Sequence, residues 1–198
     1  MVLAWFMNVR NKADLLLALL YAGGPPAPVS VASPVTGITR LEKLLFLLKI
    51  DEGFLKSVPD TDDFHFVPFR MGPWASEVYD EIDFLESLGL VNKQSSSSIS
   101  PADSVHNQEL FSQTVLDKYQ NGRSADDDET EVFRLTEAGK AKAAALWARL
   151  SDDEKRRLIH VKRTFNNMNL RQFLRYVYKK HPEYTAESEI KTYLGISE

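Results

Sequence analysis

Cysteine is absent from this chain, which excludes disulfide staples, thiolate zinc sites and cysteine nucleophiles and suits a reducing compartment. Long apolar runs are missing too. The stretches 2–7 and 15–21 fall far short of the roughly 20 residues that a membrane-spanning helix needs. Arg10 and Lys12 ahead of Leu15–Leu20 imitate a secretory leader, but Asp14 abuts the apolar run and the pattern starts late. The expectation is a cytoplasmic protein without a membrane segment. No Gly-x-Gly-x-x-Gly loop, Walker loop or Gly-x-Ser-x-Gly elbow occurs, so the common nucleotide and hydrolase signals are lacking. His65, His106, His160 and His181 are scattered without a His-x-x-x-His pair, so neither zinc nor any cofactor is expected.

What the chain does contain is enough apolar material for a core: 43% of its 198 residues are hydrophobic, which fits one compact domain or one domain with an appendage. Its formal net charge of −4 hides a strong asymmetry. Residues 1–49 carry +3, residues 50–139 carry −13, residues 140–180 carry +9 and residues 181–198 carry −3. A polyanionic partner would therefore meet the C-terminal part.

Local signals divide the chain into helices with a few extended segments. A first helix is expected over 13–21, stopped by Gly23-Gly24-Pro25-Pro26. After a loop or arm to Gly37, Thr39 would cap a second helix in which Leu41, Leu44, Leu45 and Leu48 form one buried stripe. Phe64–Phe69 is extended in character, and Gly72-Pro73 turns the chain into a third helix over 74–89 with Trp74, Val78, Ile82, Leu85 and Leu88 buried. Leu90-Val91 starts a strand. The region 92–130 holds the tracts 95–98 and 126–129, a serine run and an acidic run, so much of it is expected to be solvated, with Leu110-Phe111 and Val115-Leu116 as points for a short element. Val132–Leu135 reads as a strand, and Thr136 caps a helix over 137–150. Ser151 and Glu154 have capping-box spacing for a helix over 152–167, and a last helix over 170–180 ends before Pro182.

Helix, strand, long excursion, strand, helix is the order of a winged helix-turn-helix. The expected fold class is therefore mainly α with a small β-sheet: a winged helix over 1–150, with an arm at 22–37 and a wing insertion at 92–130, and a C-terminal helical extension over 151–198. The third helix would be the one that enters the major groove in such a module.

Phe64, Phe66, Pro68 and Phe69, the Gly72-Pro73 step, Ser76 and Val78 are followed by Leu85-Glu86 and Leu88-Gly89-Leu90-Val91 and by the tail 174–185 with His181-Pro182-Glu183-Tyr184. In these features the chain resembles bacterial and archaeal YwgA-like proteins and, more distantly, the Panacea antitoxin domain. The resemblance spans most of the chain outside 22–37 and 92–130. It implies a winged-helix-like fold, no catalytic residues, and a role as a binding module of a prokaryotic regulatory, toxin-antitoxin or phage-defence system.

Charge on the third helix argues against groove reading, because Glu77, Asp80, Glu81, Asp83 and Glu86 lie there without one Lys or Arg between 74 and 88. On the last helix Leu170, Phe173, Leu174, Val177 and Tyr178 repeat on one face while Arg171, Arg175 and Lys179 repeat on another. Arg156, Arg157, Lys162, Arg163 and Lys180 would widen that stripe into a patch for a partner protein or for nucleic acid; alternatively they solubilise the helices or pair with the acidic middle. Glu77, Asp80 and Glu81 have the spacing of a metal or acid-base cluster, but exposed helices commonly share it. The aromatics at 64, 66, 69, 74, 176, 178 and 184 read as core more than as a stacking platform, and Arg70 as the partner of a carboxylate. The expected function is partner-protein binding without catalysis, with a DNA-binding regulator working through the basic C-terminal patch as the alternative.

Overall fold

Two helices that are buried on every side over most of their length occupy the middle of the molecule. The structure, a computed structural model, describes residues 8–23, 32–56, 58–95 and 131–196. Helix α1 (Lys12–Tyr21) begins at Asn11, whose side chain accepts the Asp14 amide at 2.8 Å, and buries every residue from Leu15 to Leu20. Helix α2 (Ile38–Ile50) is buried all round from Arg40 to Leu48, rather than along the single leucine stripe that its periodicity suggests. Its start also differs from expectation: Gly37 occupies the cap position, at φ 86°, and Thr39 lies inside the helix.

Burying all sides of α2 takes three charged residues inside, and each makes a specific bond. Glu42 and Lys43 form an ion pair at 2.6 Å with side chains 4% and 1% exposed. Lys43 Nζ also donates to the Pro73 carbonyl at 2.7 Å, and Glu42 Oε1 accepts the Ala75 amide at 3.2 Å. Arg40 donates to the Phe165 carbonyl at 2.7 Å, and burial lowers its pKa to about 10. A buried ion is tolerable when its remaining donors and lone pairs find partners.

Strand β1 (Val35–Thr36) pairs antiparallel with β5 (Glu131–Leu135), which pairs on its other side with β4 (Val91–Ser95), giving the order β1-β5-β4. A separate hairpin joins β2 (Val67–Phe69) and β3 (Gly72–Trp74). Pro68 faces Pro73 across it, a pairing that suits positions of the ladder where no N–H is required. The Gly72-Pro73 step is thus a strand, Trp74 belongs to that strand, and helix α3 is shorter than expected, Ser76–Ser87. Val78, Ile82 and Leu85 form its buried face, but Leu88, expected in that stripe, is 51% exposed.

The C-terminal helices follow their caps. Thr136 accepts the Gly139 amide at 3.0 Å to start α4 (Glu137–Arg149). Gly139 is required there, because a Cβ would stand 1.9 Å from the Leu90 carbonyl oxygen. Ser151 and Glu154 form the capping box of α5 (Asp152–Phe165), and α6 spans Leu170–Lys180. Beyond α6 a single 3-10 turn at Pro182–Tyr184 returns the chain to Phe46, whose ring meets Phe66, His181 and Tyr184 edge-on at 4.9 to 5.3 Å. The protein is mainly helical with a small antiparallel sheet. Residues 96–98 of the serine tract, the acidic tract, Leu110-Phe111, Val115-Leu116, His106 and residues 24–31 of the arm lie outside the described residues.

Candidate interaction surface

Helix α6 separates packing from charge. The Asn169 side chain caps it, accepting the Gln172 amide at 3.3 Å. Phe173, Leu174, Val177 and Tyr178 then face inward, with Phe173 stacked on Phe165 at 4.9 Å. Tyr178 donates to or accepts from Ser188 at 2.6 Å, and burial pushes its phenol pKa up. On the outer side Arg171, Arg175 and Lys179 are all exposed. Arg171 lies over the Tyr193 ring at 5.0 Å and donates to the Tyr193 carbonyl at 2.8 Å, so it is held in place. Arg175 and Lys179 make no hydrogen bond or ion pair among the described residues.

Of the remaining basic residues, Arg156, Arg157 and Lys180 are engaged by partners within the chain. Arg156 and Arg157 both reach Asp153, at 3.2 and 2.5 Å, and Arg157 also donates to the Glu52 carbonyl at 2.7 Å. Lys180 pairs with Asp51 at 2.8 Å and with the Tyr176 hydroxyl at 3.0 Å, which raises its pKa. Lys180 and Arg157 thus cap the C-terminal end of α2 from two sides, where cations offset the helix dipole. His181 adds to the same end: its Nε2 lies 3.0 Å from Asp51 Oδ1, in contact but too bent for a hydrogen bond. Arg163 is exposed.

Lys162 requires a correction, since it is not a surface residue at all. It is 0% exposed, and its Nζ donates to the carbonyls of Leu19, Leu20 and Ser33 at 2.7, 3.3 and 2.7 Å. Leu19 and Leu20 belong to the last turn of α1, whose carbonyls lack intrahelical donors. Lys162 supplies those donors and cannot reach a partner. Burial lowers its pKa to about 7.

Helix α3 turns its acids outward. Asp80, Asp83 and Glu86 are exposed, and Glu77 and Glu81 partly so. Glu77 meets His65 at 2.7 Å; burial pushes its pKa up, but hydrogen bonds from its own amide and His65 outweigh that and leave it lowered. Lys93 on β4 binds Asp83 and Glu86 at 2.5 and 3.2 Å. Burial raises the pKa of Glu81. Asp80 makes no hydrogen bond or ion pair among the described residues. No group of three or more His, Asp or Glu able to hold a metal occurs among the described residues.

Between these acids stand two apolar side chains that sequence reasoning missed as surface features: Phe84, 52% exposed, and Leu88. Asp80, Phe84 and Leu88 are spaced by four, so they line one side of α3 and its C-terminal turn. The hairpin shows Val67 and Phe69, also exposed, with Phe69 5.2 Å from Trp74 and Trp74 6.4 Å from Tyr79 of α3. Arg70 pairs with Glu189 at 3.4 Å, so its expected carboxylate partner is found, far away in the chain. Chemically these surfaces offer ion pairing and apolar contact.

No helix among the described residues is long and apolar enough to cross a membrane. No family model matches the chain, no curated protein matches it, and no solved structure matches it.

Proposed function

We propose that this chain is a winged-helix interaction module, without catalytic activity, that binds a partner protein in a prokaryotic regulatory, toxin-antitoxin or phage-defence system. The winged-helix assignment is supported by the order α1, β1, α2, α3, β4, β5, with the β2–β3 hairpin inserted between α2 and α3, and by β1 lying beside β5, the strand arrangement in which a wing would connect β4 and β5. The observation that carries the functional reading is the outer side of α3. The helix that would read bases presents carboxylates together with Phe84 and Leu88, and carboxylates repel phosphates where a binder needs Lys or Arg. Exposed aromatic and aliphatic anchors rimmed by charge are what a protein interface uses.

The second reading, a DNA-binding regulator, draws on Arg171, Arg175 and Lys179 of α6, which point outward, two of them without partners among the described residues. Capture from nuclease-treated native extract at low and moderate salt separates the two. One protein recovered stoichiometrically, and lost with Phe84→Ala, supports the interaction module. Recovery of nucleic acid alone, falling steeply with salt and with Arg171, Arg175 and Lys179 changed to Glu, would replace it with the DNA-binding reading.

A further inference from the structure

Two helices of this chain carry outer faces that match each other. The α3 face runs Asp80, Phe84, Leu88, and the α6 face runs Arg171, Arg175, Lys179; each stripe repeats every four residues over eight positions. At 1.5 Å per residue both are about 12 Å long. Their charges are opposite, and each has an aromatic at hand: Phe84 within the α3 stripe, and Tyr176, 37% exposed and partly covered by Lys180, beside the α6 stripe. Asp80 on one stripe, and Arg175 and Lys179 on the other, make no hydrogen bond or ion pair among the described residues. An arginine can also lie flat on an exposed aromatic ring, as Arg171 already does on Tyr193.

We infer that the outer face of α3 docks on the outer face of α6 of a second copy of this chain. The inference rests on the reading of α3 as a protein-docking face and names its occupant. Within the pair, Arg171, Arg175 and Lys179 meet Asp80 and its neighbouring carboxylates, while Phe84 and Leu88 bury against Tyr176 and the aliphatic stems of the arginines, which cover apolar surface well. The contact joins two different surfaces, so a two-fold dimer makes it twice, and without closure the copies continue into a ring or a chain. Like charges would meet in the other pairings, α3 on α3 or α6 on α6, which selects the mixed one.

Sedimentation of the full chain from low-micromolar to several hundred micromolar protein tests this, at about 50 mM and about 500 mM salt. The wild type is expected to associate with concentration and to weaken at high salt. Asp80→Lys alone and Arg175→Glu alone should each weaken association by at least about tenfold. An equimolar mixture of the two variants should restore it, because the reversed charges then face each other again; melting curves equal to wild type establish that both variants are folded. A wild type that stays monomeric throughout, or an association that both variants leave intact, overturns the inference. A separate outcome sinks the reading beneath it: duplex DNA bound more tightly by Asp80→Lys than by the wild type, with Phe84→Ala harmless to every protein contact.

Discussion

Replacing Lys162 by Met should change how the stability of this protein depends on pH, and the structure says in which direction. In the fold the ammonium is wholly enclosed, bonded only to the carbonyls of Leu19, Leu20 and Ser33, with no carboxylate among its partners. Burial lowers its pKa from 10.5 to about 7. Below that pH both the folded and the unfolded chain hold the proton, and the full cost of burying a charge is present, on the order of 5 kcal/mol. Between about 7 and 10.5 the unfolded chain holds the proton and the folded one releases it, so raising the pH through that window favours the fold by about 1.4 kcal/mol per unit. Methionine has similar length and no proton, and lacks this dependence. Urea denaturation followed by circular dichroism at pH 6 and pH 9 therefore should show the wild type gaining about 3 kcal/mol relative to Lys162→Met. The comparison cancels every other titrating group that the two proteins share. Stability curves that run parallel between those pH values would refute the buried, partner-poor lysine on which the reasoning depends.

Leu174 is fully buried in α6, and Leu174→Ala should lose about 2 to 5 kcal/mol in chemical denaturation; an unchanged transition would mean that α6 is not docked. Gly139→Ala would put a Cβ on the Leu90 carbonyl and should lower the melting temperature sharply, by the equivalent of about 3 kcal/mol or more. A variant that melts with the wild type would rule out the close approach of α4 to Leu90, just before β4. The Glu154 carboxylate is pushed up by burial but held lower still by Ser151 and Asn8, and it accepts the amides of Asn8, Val9 and Ser151. Its contribution is present above the ordinary carboxylate range and disappears as pH falls through the lowered value, so Glu154→Gln should flatten the acid limb of stability. An acid limb identical in both proteins would contradict that role.

Where a feature is set by neighbours along the chain, it can be read from the letters. The start of α4 at Thr136, the capping box of Ser151 with Glu154, and the stop of α6 before Pro182 rest on hydrogen bonds and sterics a few residues long. The inward and outward sides of α6 follow from the helical repeat alone, which is why Arg171, Arg175 and Lys179 were correctly expected on the surface. Tertiary partners are not written locally. Arg40, Glu42 and Lys43 look like the wet side of α2, yet β3, the start of α3 and the end of α5 close over them. Lys162 sits among Arg156, Arg157 and Arg163 as one more cation, and only the open carbonyls of α1, more than 140 residues away, draw it inward. Leu88 was expected in the buried stripe of α3, but it follows Phe84 by four residues with its amide bonded to the Phe84 carbonyl, which sets it on the outer side with Phe84, where nothing among the described residues closes over it.

The grip of α2 on the hairpin and on α3 is made through main-chain atoms: Lys43 holds the oxygen of Pro73, and Glu42 holds the nitrogen of Ala75. Neither bond asks anything of the side chains at 73 and 75, nor of those displayed further out on β2 and α3. Residues 42 and 43 are therefore the expensive letters in this part of the text, while exposed positions such as Val67, Phe69 and Phe84 can be rewritten one at a time. Such a division lets a lineage alter what the outer face recognises without disturbing how the face is mounted.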